Sequence, residues 1–337
     1  MRASALGRGP QSRYIGFGVP ISALLLGMTL LAGCTTDQYA RMLIQQDTGY
    51  GKINEQMVGS SDQLVKTGAI TAARRVEMPD KTVIDVWVRK AAAGTEARGT
   101  VLALHGLCDS KVTYLSLARK LNEKGFDVVL PDLRAHGRIS GEYVTFGALE
   151  KLDQQRVMDE LLKEKLIAEP FYVFGASMGA AVAIDYAAID PRVQGVLAVA
   201  PYRDMYSFCR TLANRFAPLM SEADFRKVVD RAGQIGGFKP DEASTVQSAA
   251  KARCPLLLMH GRLDTVVPFA DSEVILAAAK GPKQLEPVPW AGHLGVLFGR
   301  EDNLVKGIET ISSGRIETAT SQPALPEKPA TQEAGER

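Results

Sequence analysis

Ser177 lies in the segment Gly175-Ala176-Ser177-Met178-Gly179, where small residues flank a side chain that could act as a nucleophile. The apolar run 171–174 before it is typical of a buried strand, and the run 180–184 after it is typical of a buried helix. A G-x-S-x-G sequence between a strand and a helix predicts a sharp turn that holds the serine in an unfavourable backbone conformation. The hydroxyl would then stand at a helix N-terminus, where partial positive charge favours a developing anion. An ordinary turn between a strand and a helix remains the alternative on these five residues alone.

A serine nucleophile needs a base, and the base needs a third group that orients it. In this strand–turn–helix context the expected chain order is serine, then acid, then histidine. Asp264 follows the apolar run 255–259, and His293 follows the extended stretch 284–289. All three residues come after predicted strands, where open parallel sheets place their sites. The sequence therefore predicts Ser177 as the nucleophile, Asp264 as the acid and His293 as the base.

The base can be chosen by elimination, because the chain has only four histidines. His105 precedes the serine in the chain and fits a structural role beside an oxyanion loop. His136 is interpreted as a loop histidine with its hydrogen bonds satisfied. His260 directly continues a strand and is interpreted as packed against the floor of the site. Only His293 has both the expected order and a loop position.

The acid has three competitors downstream of the serine, namely Asp190, Asp204 and Asp271. Pro268 suits the first turn of a helix, so Asp271 should lie on that helix and face away from the base. Asp190 precedes a proline and is typical of a turn that ends a helix. Asp204 would move with a mobile insert, which a group that orients an imidazole should not do. Asp264 is preferred for these reasons.

Several segments, in this order along the chain, resemble the α/β-hydrolase superfamily. The resemblance is to the serine-hydrolase branch with monoglyceride lipases, feruloyl esterases and serine aminopeptidases, and it covers about residues 70–310. The matching segments are His105-Gly106, 132–137, 175–179, 261–268 and Gly292-His293. The resemblance implies that Ser177, Asp264 and His293 have the roles above and that an acyl-enzyme forms. It also implies an oxyanion hole made by the backbone N–H groups of Leu107 and Met178.

One departure from the wider superfamily argues against the esterases that carry an HGGG loop. The HGGG loop of one esterase group is absent, because Leu107 and Cys108 follow His105-Gly106. A serine nucleophile also disfavours the dehalogenases and epoxide hydrolases, which resemble this fold but attack with aspartate.

The fold class follows from apolar runs that alternate with helical stretches. Nearly continuous apolar strands indicate a parallel sheet covered on both faces, and the alternation predicts a doubly wound α/β domain over residues 71–312. Residues 202–250 interrupt this alternation with an amphipathic, aromatic-rich segment that is predicted to be helical. Its apolar positions are Tyr206, Phe208, Leu212, Phe216, Leu219, Met220 and Phe225. The insert is interpreted as a lid over the substrate pocket, with an ordinary crossover helix as the alternative.

The N-terminus predicts export. Three arginines among the first 13 residues precede the apolar stretch 15–31, which indicates a signal peptide over residues 1–33. The ending Leu31-Ala32-Gly33-Cys34 resembles a bacterial lipoprotein box, in which Cys34 carries the lipid and palmitate-like acyl chains anchor the protein. The residue after the cysteine is Thr35 and not aspartate, which resembles the lipoproteins that Gram-negative bacteria export to the periplasmic face of the outer membrane. A single-span anchor or a plain signal peptide is the alternative.

The flanking regions are predicted to lie outside the folded domain. Residues 34–70 are polar and are interpreted as a tether. Residues 313–337 contain three prolines and few apolar residues, which predicts a disordered tail.

Charge and cysteine content exclude some functions. A net charge of +2 with interspersed signs gives no nucleic-acid signature. Cys108, Cys209 and Cys254 remain beside Cys34, so one disulfide could form, but the spacing does not select the pair. The same spacing suits no zinc site, and no metal or cofactor is expected.

The sequence therefore predicts an envelope-tethered serine hydrolase that cleaves a small-molecule carboxylic ester through an acyl-enzyme on Ser177. One alternative is a catalytically idle α/β hydrolase that serves as an envelope scaffold or interaction lipoprotein. A peptidase or amidase of the same fold is the other. No oligomeric state is favoured.

Overall fold

A computed structural model describes residues 35–45, 56–137, 141–293, 295–297 and 299–316, and the side chain of residue 216 is not described. Eight strands in these residues form one sheet. They are β1 (Ala72–Glu77), β2 (Val83–Arg89), β3 (Thr100–Leu104), β4 (Asp127–Pro131), β5 (Phe171–Ala176), β6 (Val193–Val199), β7 (Leu256–Gly261) and β8 (Lys283–Val288). Their order across the sheet is β1-β2-β4-β3-β5-β6-β7-β8. The pairs β1–β2 and β2–β4 are antiparallel and every other pair is parallel, which confirms the predicted doubly wound sheet.

Helices connect the strands and cover the sheet. Those in the described residues are α1 (Thr36–Ile44), α2 (Ser61–Lys66), α3 (Leu115–Glu123), α4 (Glu150–Lys163), α5 (Met178–Ala187), α6 (Met205–Phe216), α7 (Glu222–Gly236), α8 (Thr245–Ala249), α9 (Phe269–Ala278) and α10 (Glu301–Ser312), with short 3₁₀ helices at Lys111–Tyr114 and Pro240–Glu242. None of these helices has the length and apolar character needed to cross a membrane.

The core has two halves, one on each face of the sheet. Leu102 and Leu104 of β3 contribute to one hydrophobic cluster, whereas Val101 and Ala103 contribute to the other. Successive side chains of a strand point to opposite faces, so a strand that is apolar at every position must be covered on both sides. All residues of β3, β4 and β5 are buried. These strands hold the segments that end in the predicted site.

The sheet edges explain two features of the sequence. The strand β1 was not predicted, because Arg74 and Arg75 interrupt its apolar pattern. At an edge only one face is covered, so the buried Ala72 and Val76 suffice and charged residues are tolerated. At the opposite edge β8 contains Pro287. Proline has no backbone N–H to donate, and it is tolerated here because β8 has a neighbouring strand on one side only.

The segment predicted as a tether is in part folded onto the domain. Thr35 caps α1 and forms a capping box with Gln38. Ala40 and Ile44 lie one helical turn apart and are fully buried in the core. Over these residues the tether interpretation is corrected, because the polar sequence of α1 conceals one apolar face at i, i+4 spacing.

Two elements hold α1 in place. On α7, Arg231 donates two hydrogen bonds to Asp37, at N–O distances of 2.7 and 3.0 Å. In the loop after β4, the Val144 N–H donates to the Ile44 carbonyl at 2.8 Å. Arg41 also donates to the hydroxyl of Tyr143 in that loop, at 3.1 Å. The helix therefore bridges the insert and the loop.

Residues 56–70 also pack on the domain, through the buried Leu64 and Ile70. At the other end of the chain α10 stops at Ser312, near the predicted start of the tail, and Ile316 is still buried. The predicted signal peptide, Cys34 and the tail from residue 317 lie outside the described residues.

Asp185 on α5 is a fully buried carboxyl, and neither of its oxygens has a hydrogen-bond partner among the described residues. Burial raises its pKa to about 7. Because the pKa is higher in the folded state than in the unfolded state, the folded state binds this proton more tightly. The contribution of Asp185 to the free energy of unfolding therefore falls as the pH rises from about 4 to about 7.

We expect Asp185→Asn to increase stability relative to the natural protein at pH 8 more than at pH 5, by a difference of about 1–3 kcal/mol. Thermal or urea unfolding at the two pH values measures this difference. Asp190→Asn is the matched control, since hydrogen bonds from Arg192 and Tyr186 outweigh burial and hold the pKa of Asp190 below its usual value. Its effect should be the same at both pH values. An equal effect of Asp185→Asn at pH 5 and pH 8 would contradict the prediction.

Candidate active site

Ser177 occupies the turn between β5 and α5 with φ 53° and ψ −117°, a left-handed conformation that side chains rarely adopt. Two glycines make the turn fit. A Cβ added at Gly175 would lie 2.1 Å from the Gly179 carbonyl oxygen, and one added at Gly179 would lie 2.3 Å from the Leu104 oxygen. The strand, the helix and β3 thus approach too closely for any side chain. The turn has the sharp, strained shape that the sequence predicts.

His293 lies between Ser177 and Asp264. Its Nε2 is 2.9 Å from Ser177 Oγ, and its Nδ1 is 2.6 Å from Asp264 Oδ2. The carboxylate accepts a hydrogen bond from Nδ1–H, so Nε2 presents its lone pair to the serine hydroxyl. This arrangement can remove the hydroxyl proton as the oxygen attacks an electrophile.

Asp264 is fixed by four donors. Its Oδ1 accepts from the backbone N–H groups of Val266 at 2.8 Å and Val267 at 2.9 Å. Its Oδ2 faces His293 and also the Nε2 of His260, at 3.2 Å. Burial alone would raise the pKa of Asp264, but the hydrogen bonds from His260 and His293 outweigh it and hold the pKa well below its usual value. The carboxylate therefore stays ionised while it orients the imidazole.

The three competing aspartates have other partners. Asp190 accepts from Tyr186 and Arg192 at the end of α5. Asp204 caps α6, and Asp271 on α9 accepts from a backbone N–H of the neighbouring loop. No hydrogen bond joins any of them to His293 in the part of the chain that the structure describes.

His105 and His136 are buried beside the loop after β3. His105 Nε2 accepts from the Leu133 N–H at 2.9 Å, so its Nδ1 carries the proton and donates to the Gly106 carbonyl at 2.8 Å. Burial, together with the neighbouring His136, lowers the pKa of His105 well below its usual value. The neutral ring holds the backbone of the loop, as expected for a structural role.

His136 holds the next part of the same loop. Its Nε2 accepts from the Cys108 N–H at 3.1 Å, and its Nδ1 donates to the Arg134 carbonyl at 2.9 Å. Burial lowers the pKa of His136 as well, so this ring is also neutral. Cys108 has a φ of 62°, and the bond from its amide helps to keep this unusual conformation.

The two amides assigned to the oxyanion hole belong to the first residue of α5 and to the loop after β3. Met178 is the first residue of α5, so its N–H has no acceptor within the helix. The N–H of Leu107 donates to no described residue. The loop that carries Leu107 touches the nucleophile, because a Cβ added at Gly106 would lie 3.5 Å from the Ser177 Cβ. Both N–H groups are available for an oxyanion.

The structure also bears on the predictions for the three cysteines and for the segment 202–250. No disulfide joins Cys108, Cys209 and Cys254 to one another in the described part of the chain. The segment 202–250 is helical, as predicted, and forms α6, α7 and α8 between β6 and β7. Its aromatic residues pack on one another, with the rings of Tyr206 and Phe225 5.1 Å apart.

Two buried contacts near the site were not predicted from the sequence. One is the contact of His260 with Asp264, two residues that are four apart in the chain. The other is Lys111, which is fully buried and pairs with Asp132 and Asp85 beneath the loop after β3. A lysine with no exposure needs such a charged partner.

Comparisons with known proteins agree with this architecture. Residues 95–232 match the family model described as serine aminopeptidase, S33. An uncharacterized protein of Escherichia coli strain K12, YfhR, is 26% identical over 233 residues, which cover 67% of this chain and 75% of the relative.

Two solved esterase structures are also similar. The esterase Pf2001 of Pyrococcus furiosus has a TM-score of 0.57 and 22% identity, and covers 75% of this chain and 94% of its own. Acetyl xylan esterase 1 of Thermoanaerobacterium sp. has a TM-score of 0.54 and 15% identity, and covers 74% of this chain and 93% of its own. At these identities the likeness shows a shared fold.

Proposed function

We propose that this chain, which belongs to the α/β-hydrolase superfamily, is a serine hydrolase that cleaves carboxylic esters. The observation that carries the proposal is the continuous hydrogen-bonded series from Ser177 through His293 to Asp264. Two proteins with similar folds are esterases, which favours an ester as the substrate.

The reaction follows from the positions of the donors and acceptors. Ser177 Oγ attacks the carbonyl carbon while His293 Nε2 takes the hydroxyl proton. The N–H groups of Leu107 and Met178 stabilise the negative oxygen of the tetrahedral intermediate. When the carbon–oxygen bond to the alcohol breaks, His293 returns the proton to the leaving oxygen. Water then attacks the acyl-enzyme with His293 again as the base, and Ser177 is regenerated.

Two other functions compete with this proposal. A peptidase or amidase would use the same residues, and the description of the matching family as a serine aminopeptidase favours it. A catalytically idle scaffold would not need a strained serine that is hydrogen-bonded to a histidine and, through it, to an aspartate. The complete arrangement therefore disfavours the scaffold.

Labelling with a fluorophosphonate probe tests the proposal directly. Such probes form a covalent bond with an activated serine, so we expect one label on Ser177, located by peptide mass spectrometry. Hydrolysis of short-chain nitrophenyl esters, compared with the matching anilides, then separates an esterase from an amidase. No labelling of the folded protein and no turnover of either substrate would favour the scaffold.

We further propose that the helices α6, α7 and α8 cover the substrate pocket as a lid. The insert leaves the sheet at the carboxyl end of β6, which is the edge that also carries Ser177 and Asp264. Open parallel sheets bind their ligands at this edge.

We also propose that Cys34 is lipidated and holds the protein at the periplasmic face of the outer membrane. Cys34→Ser is expected to block processing and leave an uncleaved precursor that carries no acyl chains. Mass spectrometry of the N-terminal peptide measures this outcome, and Cys254→Ser is a control that should process normally. A natural protein with an unmodified mature N-terminus would exclude the anchor. A soluble form should begin at Thr35, because residues 36–44 pack on the domain.

A further inference from the structure

We propose that His260 is a positioning residue that holds the Asp264 carboxylate in line with His293. This inference rests on the proposed function, in which Asp264 is the catalytic acid. His260 is the residue before the last in β7, and its side chain has no exposure to solvent.

Both ring nitrogens of His260 have partners. Nε2 is 3.0 Å from the Val267 carbonyl oxygen and 3.2 Å from Asp264 Oδ2. Nδ1 is 2.7 Å from Ser272 Oγ on α9. The ring also packs edge-on against Phe269, with their centroids 5.5 Å apart. The imidazole thus has one orientation.

The partners determine which nitrogen carries the proton. A carbonyl and a carboxylate can only accept, so Nε2 must be protonated and donate to them. The Ser272 hydroxyl lies within hydrogen-bond distance of Nδ1, so both ring nitrogens have partners. The two acceptors at the other end of the ring therefore fix a proton on Nε2.

This geometry makes Oδ2 of Asp264 a shared acceptor for two imidazoles. Two backbone amides already occupy Oδ1, so His260 is the only side chain besides His293 that donates to the carboxylate among the described residues. A carboxylate with donors on both oxygens cannot rotate about its terminal bond. His260 is therefore a further restraint on Oδ2, the oxygen toward which His293 must point.

The charges around His260 are few. Asp264 lies on one side of it, and Asp271 on α9 also interacts with it electrostatically. The Asp271 carboxylate accepts from the Arg203 N–H at 3.2 Å, and the Arg203 guanidinium lies 3.8 Å away. His293 completes the set of titratable groups that face Asp264.

A matched pair of variants separates positioning from simple packing. Glutamine at 260 can place an amide N–H where Nε2 now lies, whereas asparagine is shorter and reaches only the position of Nδ1. Both are polar and both fit the buried site. His260→Gln should keep kcat within about threefold, and His260→Asn should lose about ten- to a hundredfold, since a hydrogen bond to a charged group is removed. KM should stay within about twofold in both, because His260 does not face the substrate.

Two further readouts are insensitive to packing alone. In His260→Asn the negative charge of Asp264 is concentrated on its bond with His293, so the acid limb of the kcat/KM profile should move to higher pH. The downfield proton resonance of the His293 Nδ1–H should shift in the same variant and return in His260→Gln. The resonance requires no substrate and can be measured on the full chain in which Ser177 is intact.

The outcomes distinguish this inference from the proposed function. If the natural protein hydrolyses no ester, the proposed function fails, and the resonance still decides the role of His260. Equal kcat values and unshifted resonances for the asparagine and glutamine variants would overturn the inference. A loss of kcat that follows only the melting temperature, equal in both variants, would also overturn it.

Discussion

Ser177→Ala is expected to lower the rate of ester hydrolysis by about 10⁴- to 10⁶-fold, because the reaction loses its only nucleophile. Alanine keeps the Cβ that already occupies the turn at φ 53°, so the strained backbone is unchanged. The melting temperature should therefore stay within a few degrees. Steady-state turnover of a nitrophenyl ester, with fluorophosphonate labelling alongside, measures the effect.

The control for this variant is Ser248→Ala, which removes a buried hydroxyl from α8. It should label and hydrolyse as the natural protein does. If Ser177→Ala kept more than a few per cent of the rate after contaminating esterases had been excluded, another residue would be the nucleophile.

Asp264→Asn is expected to reduce kcat by about 10⁴-fold, in analogy with the serine-protease case. The side-chain oxygen of asparagine must take the place of Oδ1, because two backbone N–H groups point there. Its NH₂ group then faces Nδ1 of His293. To accept that hydrogen bond His293 must move its proton to Nε2, where it can no longer take a proton from Ser177.

The measurement is kcat for the two variants Asp264→Asn and Asp190→Asn. Asp190 is bonded to Arg192 and has no contact with His293, so its variant should turn over at the natural rate. Raising the pH should not restore kcat in Asp264→Asn, because the activity is lost through the wrong tautomer of His293 and not through its protonation. Near-natural activity of Asp264→Asn would reassign the acid.

The three principal site residues could be predicted because each depends on one strand and one loop. Ser177, Asp264 and His293 all follow the ends of parallel strands, and parallel strands bring their carboxyl ends to one edge. The order of the segments along the chain was therefore sufficient to place them near one another.

The contacts of His260 and α1 could not be predicted in this way. Whether His260 reaches Asp264 depends on the path of the loop between them, which returns Val267 toward the strand end. The position of α1 depends on long-range contacts with α7, and only two residues of this short helix, Ala40 and Ile44, are fully buried. The contact of His260 leaves no hydrophobic pattern in the sequence, and α1 is too short for its pattern to be recognised from one sequence.

If the chain is anchored through Cys34 as proposed, the packing of α1 limits the distance between the folded domain and the bilayer. A free tether over residues 34–70 could extend up to roughly 120 Å, and the enzyme could sample substrates throughout that distance. The helix begins at Thr36, however, and adjacent Cα atoms are only about 3.8 Å apart. If Cys34 carries the proposed acyl chains, they are joined to the folded domain almost without a spacer. The N-terminal end of α1 would then lie beside the lipid headgroups, and the active site would stay within about one domain diameter of the membrane surface.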